Sequence, residues 1–496
     1  MKRLVLKSGR PIVATIISAL IIGLATAQSP KNGSKGLVFK GKAPINKETL
    51  KVKLPRAYEA KLGNGLQIVV LEQHKLPTFT MQMILLSGGM SDPQGAHGAA
   101  QFTGSLLREG TKTQSSREIA EQAEAQGSAN FANATVSLSD SRITASGLVE
   151  NFDQMVELFA DVILNPSFPD AEFNKFKTRS LAQLRQQRSD PRFLAREMFA
   201  KVMYGSHPAS RESLAIEEIQ GMSPEVVKKF HAINYKPNNA IFAIVGDVKP
   251  SELVAKLEKV FGSWQRGDVP QATIPKVSQT GPAKIHVVNR ASSVQTNLLL
   301  GNLTIERKDP DYYALDVMNG VVGGGASGRL FLNLREDKGY TYGAYSGFSA
   351  ERYVGTFRAN AEVRTEVTKG SMDELLYEFK RIRDEKVPQE ELERAKRTII
   401  GFFAVQLEYP QELLNNIITQ KLYDLPADYW DNYAQRIAAI TPEDVQRVAK
   451  KYIDLDHLQV VAVGDASKIA DVLKQYGTVE IYDTEGKPIK SSGGGK

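Results

Sequence analysis

Two hydrophobic periodicities alternate along the chain. Stretches such as GLQIVVLEQ, TFTMQMILLSG and ITASGLVE mix apolar and polar residues in the way that is typical of strands buried on one face. Between such stretches, NFDQMVELFADVIL and SMDELLYEFKRIRD carry apolar residues at the helical spacing of three and four. Strands interleaved with long amphipathic helices predict an α+β fold, an α/β sandwich in which helices pack on a largely antiparallel sheet.

The pattern occurs twice. SPEVVKKFHAINYKPNNAIFAIVGDV, which begins at Ser223, aligns without a gap with TPEDVQRVAKKYIDLDHLQVVAVGDA, which begins at Thr441. Each copy predicts a capped helix followed by an apolar strand that ends in Gly-Asp. A second pair of segments, around Pro169 and Pro388, has an offset that is longer by a single position. The sequence therefore predicts an internal duplication.

The duplication divides the chain into segments. We expect an N-terminal half over residues 51–265 and a C-terminal half over residues 285–486, facing each other across a cleft. Residues 266–284, which are rich in Pro, Gly, Gln and Thr, are predicted to be the linker. Residues 28–50 are expected to form an extended leader, and residues 487–496 a flexible tail.

Residues 1–27 have the composition of a secretory signal peptide. Four basic residues precede or flank an apolar run over residues 12–24, and Ala25-Thr26-Ala27 supplies a small-x-small cleavage site. Because the run is short for a transmembrane helix, we expect cleavage near Ala27 and export, into the periplasm if the source is Gram-negative. An uncleaved N-terminal anchor is the alternative.

Removal of this segment changes the charge balance. It carries four basic and no acidic residues, so the formal net charge of +7 falls to +3. A nearly neutral chain of this length gives no argument for nucleic acid binding. The chain also has no cysteine, which excludes disulfides and the thiolate ligands of most structural zinc sites.

Three motifs that could indicate a binding or catalytic site lack the surrounding sequence that such a site requires. GGGASG, residues 323–328, satisfies G-x-G-x-x-G, but a helical pattern precedes it where a nucleotide site needs a strand, so a loop between two helices is favoured. The six histidines include no H-E-x-x-H pair, although a dispersed metal site stays open. Ser105 lies in a helical pattern without a G-x-S-x-G elbow, which argues against a serine nucleophile.

The segment LFLNLREDKGYTYGAYSGF, residues 330–348, predicts a helix that stops at a glycine and then a tyrosine-rich strand. Arg335 lies in the last turns of this helix, and Tyr342 lies early in the strand. A helix–turn–strand unit can bring a guanidinium and a phenol together, and such donors could hold a backbone carbonyl. From the residues alone, a helix-terminal charge and a sheet-surface tyrosine are the simpler interpretation.

Four stretches carry a resemblance to a known family: SGGMSDPQGAHGAAQFTGSLLREGT, NPSFPDAEFNKF, HPASRESLAIEEIQGMSPEVVKKFHAINYKPNNAIFAIVGDV and GGGASGRLFLNLREDKGYTYGAYS. Together they resemble the insulinase-type (M16) zinc metallopeptidases, over nearly the whole chain that follows the predicted signal peptide. The resemblance implies two duplicated M16-like α/β sandwich halves that form a clamshell.

The zinc motif of that family is degenerate here. Active members resemble G-x-A-H-x-x-E-H-x-x-x-x-G-T, which places Gln101 and Ser105 at the two histidines and Gly104 at the catalytic glutamate. Gln183 stands at the third ligand, and Phe131 where active members tend to have an asparagine on the edge strand of the cleft. Amides, a glycine and a hydroxyl cannot replace two imidazoles and two carboxylates around a dication. We therefore expect neither a metal nor a catalytic residue in this chain.

The second half keeps more of the family pattern. R-E-x-x-G-x-x-Y is matched at every position by Arg335, Glu336, Gly339 and Tyr342. In the family, the Arg and the Tyr are held to bind the substrate's carbonyl from across the cleft, so the resemblance favours a substrate-binding role for Arg335 and Tyr342. The resemblance extends to bacterial M16 enzymes that consist of two chains, of which one keeps the zinc motif and its partner keeps only the Arg/Tyr pair.

The resemblance thus implies an exported subunit without zinc that completes the chamber of a zinc-bearing partner, as a heterodimer or a larger assembly. Zinc is then expected in the partner, which carries H-x-x-E-H, with no cofactor in this chain and with peptides as substrates. A non-enzymatic scaffold or peptide-binding protein stays open. A peptidase that acts alone through an unrecognised metal site stays open as well.

Overall fold

A computed structural model of the protein describes residues 51–128, 130–278 and 280–489. The predicted signal peptide and leader lie outside these residues, as does most of the predicted tail, 490–496. The described start of that tail folds back on the last strand, where the Ile489 N–H donates to the Ile481 carbonyl at 2.8 Å. Within the described ranges, no helix has the length and apolar character that a bilayer crossing requires.

The first half combines one mixed sheet with helices. Its strands are β1 (Tyr58–Lys61), β2 (Gln67–Glu72), β3 (Thr78–Leu85), β4 (Asn133–Val136), β5 (Ser141–Leu148) and β6 (Ala240–Gly246). Its helices are α1 (Ala99–Leu106), α2 (Ser116–Ala125), α3 (Phe152–Leu164), α4 (Asp170–Gln187), α5 (Pro191–Tyr204), α6 (Ile216–Gly221), α7 (Pro224–Asn234) and α8 (Pro250–Phe261).

The second half repeats this plan. Its strands are β7 (Lys284–Asn289), β8 (Gln295–Leu303), β9 (Thr341–Phe348), β10 (Thr356–Arg364), β11 (Gln459–Gly464) and β12 (Thr478–Tyr482). Its helices are α9 (Tyr312–Val322), α10 (Arg329–Phe331), α11 (Thr368–Asp384), α12 (Gln389–Gln406), α13 (Pro410–Leu422), α14 (Tyr433–Ala439), α15 (Pro442–Tyr452) and α16 (Ala466–Leu473). A π-helical segment, Leu332–Asp337, continues α10.

The predicted α+β class and the duplication are confirmed. The sheets have the orders β1-β2-β6-β3-β5-β4 and β12-β7-β11-β8-β10-β9, so five strands correspond in sequence and in place. Helices α4 and α12 are equal in length, as are α7 and α15, and each pair keeps the offset that the sequence predicted for it. The hydroxyls of Ser223 and Thr441 cap α7 and α15 as predicted, by accepting backbone N–H groups. The halves differ at one edge, because β1 is antiparallel to β2 whereas β12 is parallel to β7.

The two faces of the first sheet belong to different cores. Successive side chains of a strand point to opposite faces, and in β2 Ile68 and Val70 pack in the core of the first half. Val69 and Leu71 point the other way and belong to the same buried cluster as Leu414 of α13 in the second half. Helix α13 packs on β6 of this sheet. The second face of the first sheet is thus covered by a helix of the other half.

The exchange is reciprocal. Helix α5 of the first half packs on β7, β8 and β11 of the second sheet. Val461 and Val463 of β11 share a buried cluster with Phe193 and Met198 of α5. Since α5 and α13 are counterparts in the duplication, the halves interlock by exchanging the same helix. A packed interface therefore joins the two halves, and a groove lies at the margin of this interface. From the sequence we expected a cleft between the halves.

Candidate functional site

A partly buried carboxylate positions helix α1. Asp92 accepts hydrogen bonds from the backbone N–H groups of Gly98, at 2.6 Å, and Ala100, at 2.8 Å. Burial raises the pKa of Asp92, and the two backbone hydrogen bonds partly offset the effect. Gly98, with φ of +92°, supplies the left-handed turn that enters the helix. The local sequence DPQGAHGAA thereby fixes where α1 begins and which face it presents.

The vacated motif positions lie near one another, around α1 and α4. Ser105 and Gln183 line one cavity of about 330 Å³, together with Gly104. Gln101 and Ser105 line a neighbouring cavity of about 390 Å³. A Cβ atom on Gly104 would meet the Ala134 Cβ at 3.0 Å, so α1 approaches β4 unusually closely at this glycine.

Other side chains in the first cavity are cationic or already engaged. Arg108 donates to the Asn133 Oδ1 at 2.8 Å. Glu109 accepts a hydrogen bond from Ser116 at 2.9 Å and lies 3.9 Å from Arg179. Among the described residues, no group of three or more His, Cys, Asp or Glu could hold a metal ion. The donor set around the vacated positions therefore does not fit zinc, and no chemical step through a metal follows for this chain.

Two features of this cavity were not predicted from the sequence. Ser180 lines it one helical turn before Gln183, and helical spacing could have found it. The placement of Phe131 on the edge strand is wrong. That strand, β4, begins two residues later at Asn133, and Phe131 is buried against Phe159 in the core, 6.3 Å between ring centroids. An asparagine, Asn133, therefore starts the edge strand after all.

The second candidate site lies where α10 and its π-helical extension meet β9. The helical segment closes with the Gly339 N–H donating to the Arg335 carbonyl, and Gly339 adopts φ of +62°, as the predicted glycine stop requires. Strand β9 starts two residues later, at Thr341. A β-bulge follows, between the pairs Val363–Thr341 and Ala361–Ala344. Bulges redirect side chains, and Tyr342 lies at this one.

The two side chains predicted to bind substrate are both accessible. Tyr342 is 90% exposed, and no hydrogen bond of its hydroxyl is found within the described ranges. The Arg335 guanidinium lies 4.8 Å from the centroid of the Phe331 ring, with its Nε 3.4 Å from Glu336. Phe331 in turn contacts Tyr345 of β9, at 5.6 Å between ring centroids. Arg335 is thus held at the Phe331–Tyr345 pair, whereas Tyr342 is related to this pair only through the cavity that it lines together with Tyr345.

The glycine-rich segment 323–328 is a loop between α9 and α10, as the sequence predicted. It touches the outer edge of β9, where the Ser346 N–H donates to the Gly323 carbonyl at 2.8 Å. A Cβ on Gly323 would come within 2.5 Å of the Ser346 nitrogen, so only glycine permits this approach. After the loop, Arg329 is buried and donates twice to Glu391 of α12, at 2.8 Å each. This ion pair anchors the segment that carries Arg335.

Two related halves with exchanged helices and a degenerate metal-site helix define a peptidase-like scaffold. The family model for insulinase (peptidase family M16) matches residues 68–215, and the model for the peptidase M16 inactive domain matches residues 221–399. The chain belongs to the M16 peptidase family.

Individual relatives span most of the chain. An uncharacterized zinc protease of Streptomyces coelicolor is 23% identical over 78% of this chain and 85% of its own length. A non-peptidase homologue, YmxG of Helicobacter pylori, is 23% identical over 81% of this chain and 92% of its own length. The crystal structure of a peptidase M16 inactive domain from Pseudomonas fluorescens is similar at a TM-score of 0.77 and 28% identity, covering 83% of this chain and 98% of that one. The chain is thus similar to family members described as proteases and to others described as inactive.

Proposed function

We propose that this chain is the non-catalytic, exported subunit of an M16-type zinc metalloendopeptidase. It completes the chamber of a zinc-bearing partner and binds an extended peptide through Arg335 and Tyr342. The partner supplies the metal and the base that activates water, because the positions of Gln101, Gly104, Ser105 and Gln183 offer no ligand set for zinc.

The observation that carries the proposal is the exposure of Tyr342 on an edge strand. A tyrosine that is 90% exposed contributes little to packing, so stability does not account for it. Its hydroxyl and the Arg335 guanidinium are donors suited to a substrate carbonyl.

The backbone of β9 offers a second means of binding the peptide. Strand β9 is the last strand of its sheet. The Ser346 N–H is already bonded to the glycine-rich loop, and Ala344 is fully buried. The accessible part of this edge is therefore its start, at Thr341, Tyr342 and Gly343. An extended peptide can pair with such an edge while its side chains fill neighbouring pockets.

Co-purification from the native host tests the proposal. We expect a chain with H-x-x-E-H to accompany this one, and peptidase activity only when both are present. Arg335→Ala combined with Tyr342→Phe should lower that activity about 100-fold or more, because each removes a carbonyl donor. Arg117→Ala with Tyr58→Phe, an exposed pair away from the site, is the matched control and should stay within about twofold. Unchanged activity in the first double variant contradicts the assigned roles.

Two rival functions give different outcomes. A scaffold or peptide-binding protein, which the name of the Helicobacter pylori relative favours, predicts a stable complex whose activity ignores Arg335 and Tyr342. A peptidase acting alone predicts stoichiometric zinc in the purified chain, measurable by elemental analysis. Export is tested separately, since cleavage near Ala27 sets the N-terminal residue of the mature protein found in the periplasmic fraction.

A further inference from the structure

A groove lies at the margin of the interface between the halves, beside Tyr342. Helix α5 covers β7, β11 and β8 of the second sheet, and β10 and β9 extend beyond it. The flank of α5 and this uncovered part of the sheet enclose a cavity of about 500 Å³. The lining residues that matter here are Arg192, Arg196, Asn297, Tyr342, Arg358 and Glu362.

The floor of the groove is polar because of strand alternation. On β10, Arg358, Asn360 and Glu362 share one face, since the side chains of every second residue point the same way. The register places Asn360 opposite Tyr345 of β9 and Glu362 opposite Asn297 of β8. Amide and guanidinium groups therefore replace the apolar side chains that line the part of this face under α5.

One guanidinium of the groove has no counter-charge. Glu362 accepts from Arg192 of α5, at 2.6 Å and 2.9 Å, and Arg196 donates to Glu212 at 2.8 Å. Arg358 is exposed, and within the described part of the chain no ion pair or hydrogen bond is found for it. The two acidic partners are thus used by the other two arginines, and the groove carries a net positive charge at Arg358.

A buried amide adds a second unmet donor. Asn297 is only 5% exposed, and its Nδ2 has no hydrogen-bond acceptor in the described structure. A buried N–H without a partner costs free energy that a ligand oxygen would recover. Two donors without acceptors, one charged and one buried, favour a ligand that brings only acceptors.

We propose that this groove is a specificity subsite that takes a carboxylate of the peptide held at β9. Arg358 is its charged donor, and the Asn297 amide is its buried donor. The inference rests on the proposed function, because Tyr342 belongs to both sites and a peptide paired with β9 passes the mouth of the groove. The carboxylate comes from a Glu or Asp side chain or from a free C-terminus, since both present the same two oxygens.

Peptide binding to the full mature chain, with its co-purified partner, tests the subsite. The probes are fluorescein-labelled ten-residue Ala/Ser peptides with amidated C-termini, each with one Glu, one Gln or one Lys at a given position. A further probe has no acidic side chain and a free C-terminal carboxylate. Fluorescence anisotropy should show a preference of about tenfold for Glu over Gln at one position, or for the free over the amidated C-terminus.

Variants separate the subsite from the main site. Arg358→Gln should reduce the preference to about one, and Arg358→Glu should reverse it in favour of a Lys-containing peptide. Arg117→Gln is the control, because Arg117 is an exposed arginine of α2 that pairs with Glu121 away from the groove, and it should keep the preference. A wild-type preference that survives Arg358→Gln, or no preference at all, overturns the subsite while leaving the proposed function intact. Failure of every peptide to bind overturns both.

Discussion

The two halves share one frame but differ at the edge where each could act. In the first half, α1 lies against the edge strand β4 so closely that a Cβ on Gly104 would meet the Ala134 Cβ at 3.0 Å. In the second half, the edge strand β9 leaves Tyr342 90% exposed. Both edge strands are packed by helices of their own half, β4 by α1 and β9 by α9 and α10. The difference is therefore local, in the one large side chain that β9 presents to solvent at Tyr342.

This difference distinguishes the features that side-chain packing stabilises from those that packing does not explain. The matched helices and strands of both halves bury apolar side chains, so the duplication persists wherever burial stabilises it. At Gly104, glycine suits close contact with β4, where an unpaired buried carboxylate would cost free energy. At Tyr342 the side chain is solvated instead, and exposure of a large aromatic group is the feature that stability leaves unexplained.

The largest expected contrast between the halves concerns Glu391 of α12 and its counterpart Glu172, at the matching position of α4. Glu391 is the partner of Arg329, whose side chain is 3% exposed, whereas Glu172 pairs with Lys175 at the surface. Glu391→Ala leaves a buried guanidinium without its partner, so the free energy of unfolding should fall by about 3–5 kcal/mol. Glu172→Ala should cost less than about 1 kcal/mol. Urea denaturation followed by circular dichroism measures both.

Equal losses in the two variants would contradict the view that a buried ion pair anchors only the second site. Loss of the anchor should also lower peptide binding, because the segment from Arg329 carries Arg335. The control variant Glu172→Ala should bind peptide as the wild type does.

The repeat was predictable because it is local: capped helices and apolar strands occur at fixed offsets in the sequence. The exchange of α5 and α13 was not, since helical periodicity tells which face of a helix is apolar but not which sheet that face will cover. The Arg335 and Tyr342 positions came from a motif. The groove donors Asn297 and Arg358 carry no motif, and they are related only as lining of one cavity in the folded chain. Phe131 was misplaced because an aromatic residue beside a strand has no signal that separates core from edge.

A second test concerns the close contact between α1 and β4 in the first half. Gly104→Val adds a branched side chain where even a Cβ meets the Ala134 Cβ at 3.0 Å and the Val136 Cγ2 at 3.2 Å, so overpacking should lower the free energy of unfolding by about 2 kcal/mol. Gly401 of α12 is the matched control, because a Cβ there meets nothing within 4 Å. Gly401→Val should raise stability by a few tenths of a kcal/mol, about the gain in helix propensity. If both variants unfold at the same urea concentration, the contact between α1 and β4 is looser than described.

The smallest expected contrast is in pH dependence, and it involves His231 of α7. Its counterpart, at the matching position of α15, is Ala449, which does not titrate. His231 donates from Nε2 to the Ile163 carbonyl at 2.8 Å and stacks near Tyr235. Burial lowers the pKa of His231 from 6.5 to about 4, and the hydrogen bond only partly offsets this effect.

The unfolded chain therefore binds a proton on His231 at higher pH than the folded chain does. The resulting stability is fully present above pH 6.5 and is lost as the pH falls towards 4. In His231→Gln the amide can keep the bond to Ile163 but cannot titrate, so the loss of unfolding free energy between pH 6.5 and pH 4 should shrink by about 1–2 kcal/mol. Lys229→Gln, an exposed change on the same helix, should keep the wild-type slope. Urea midpoints measured across this pH range test this prediction. If the unfolding free energy of wild type and of His231→Gln depends on pH in the same way, the imidazole is solvated in the folded protein.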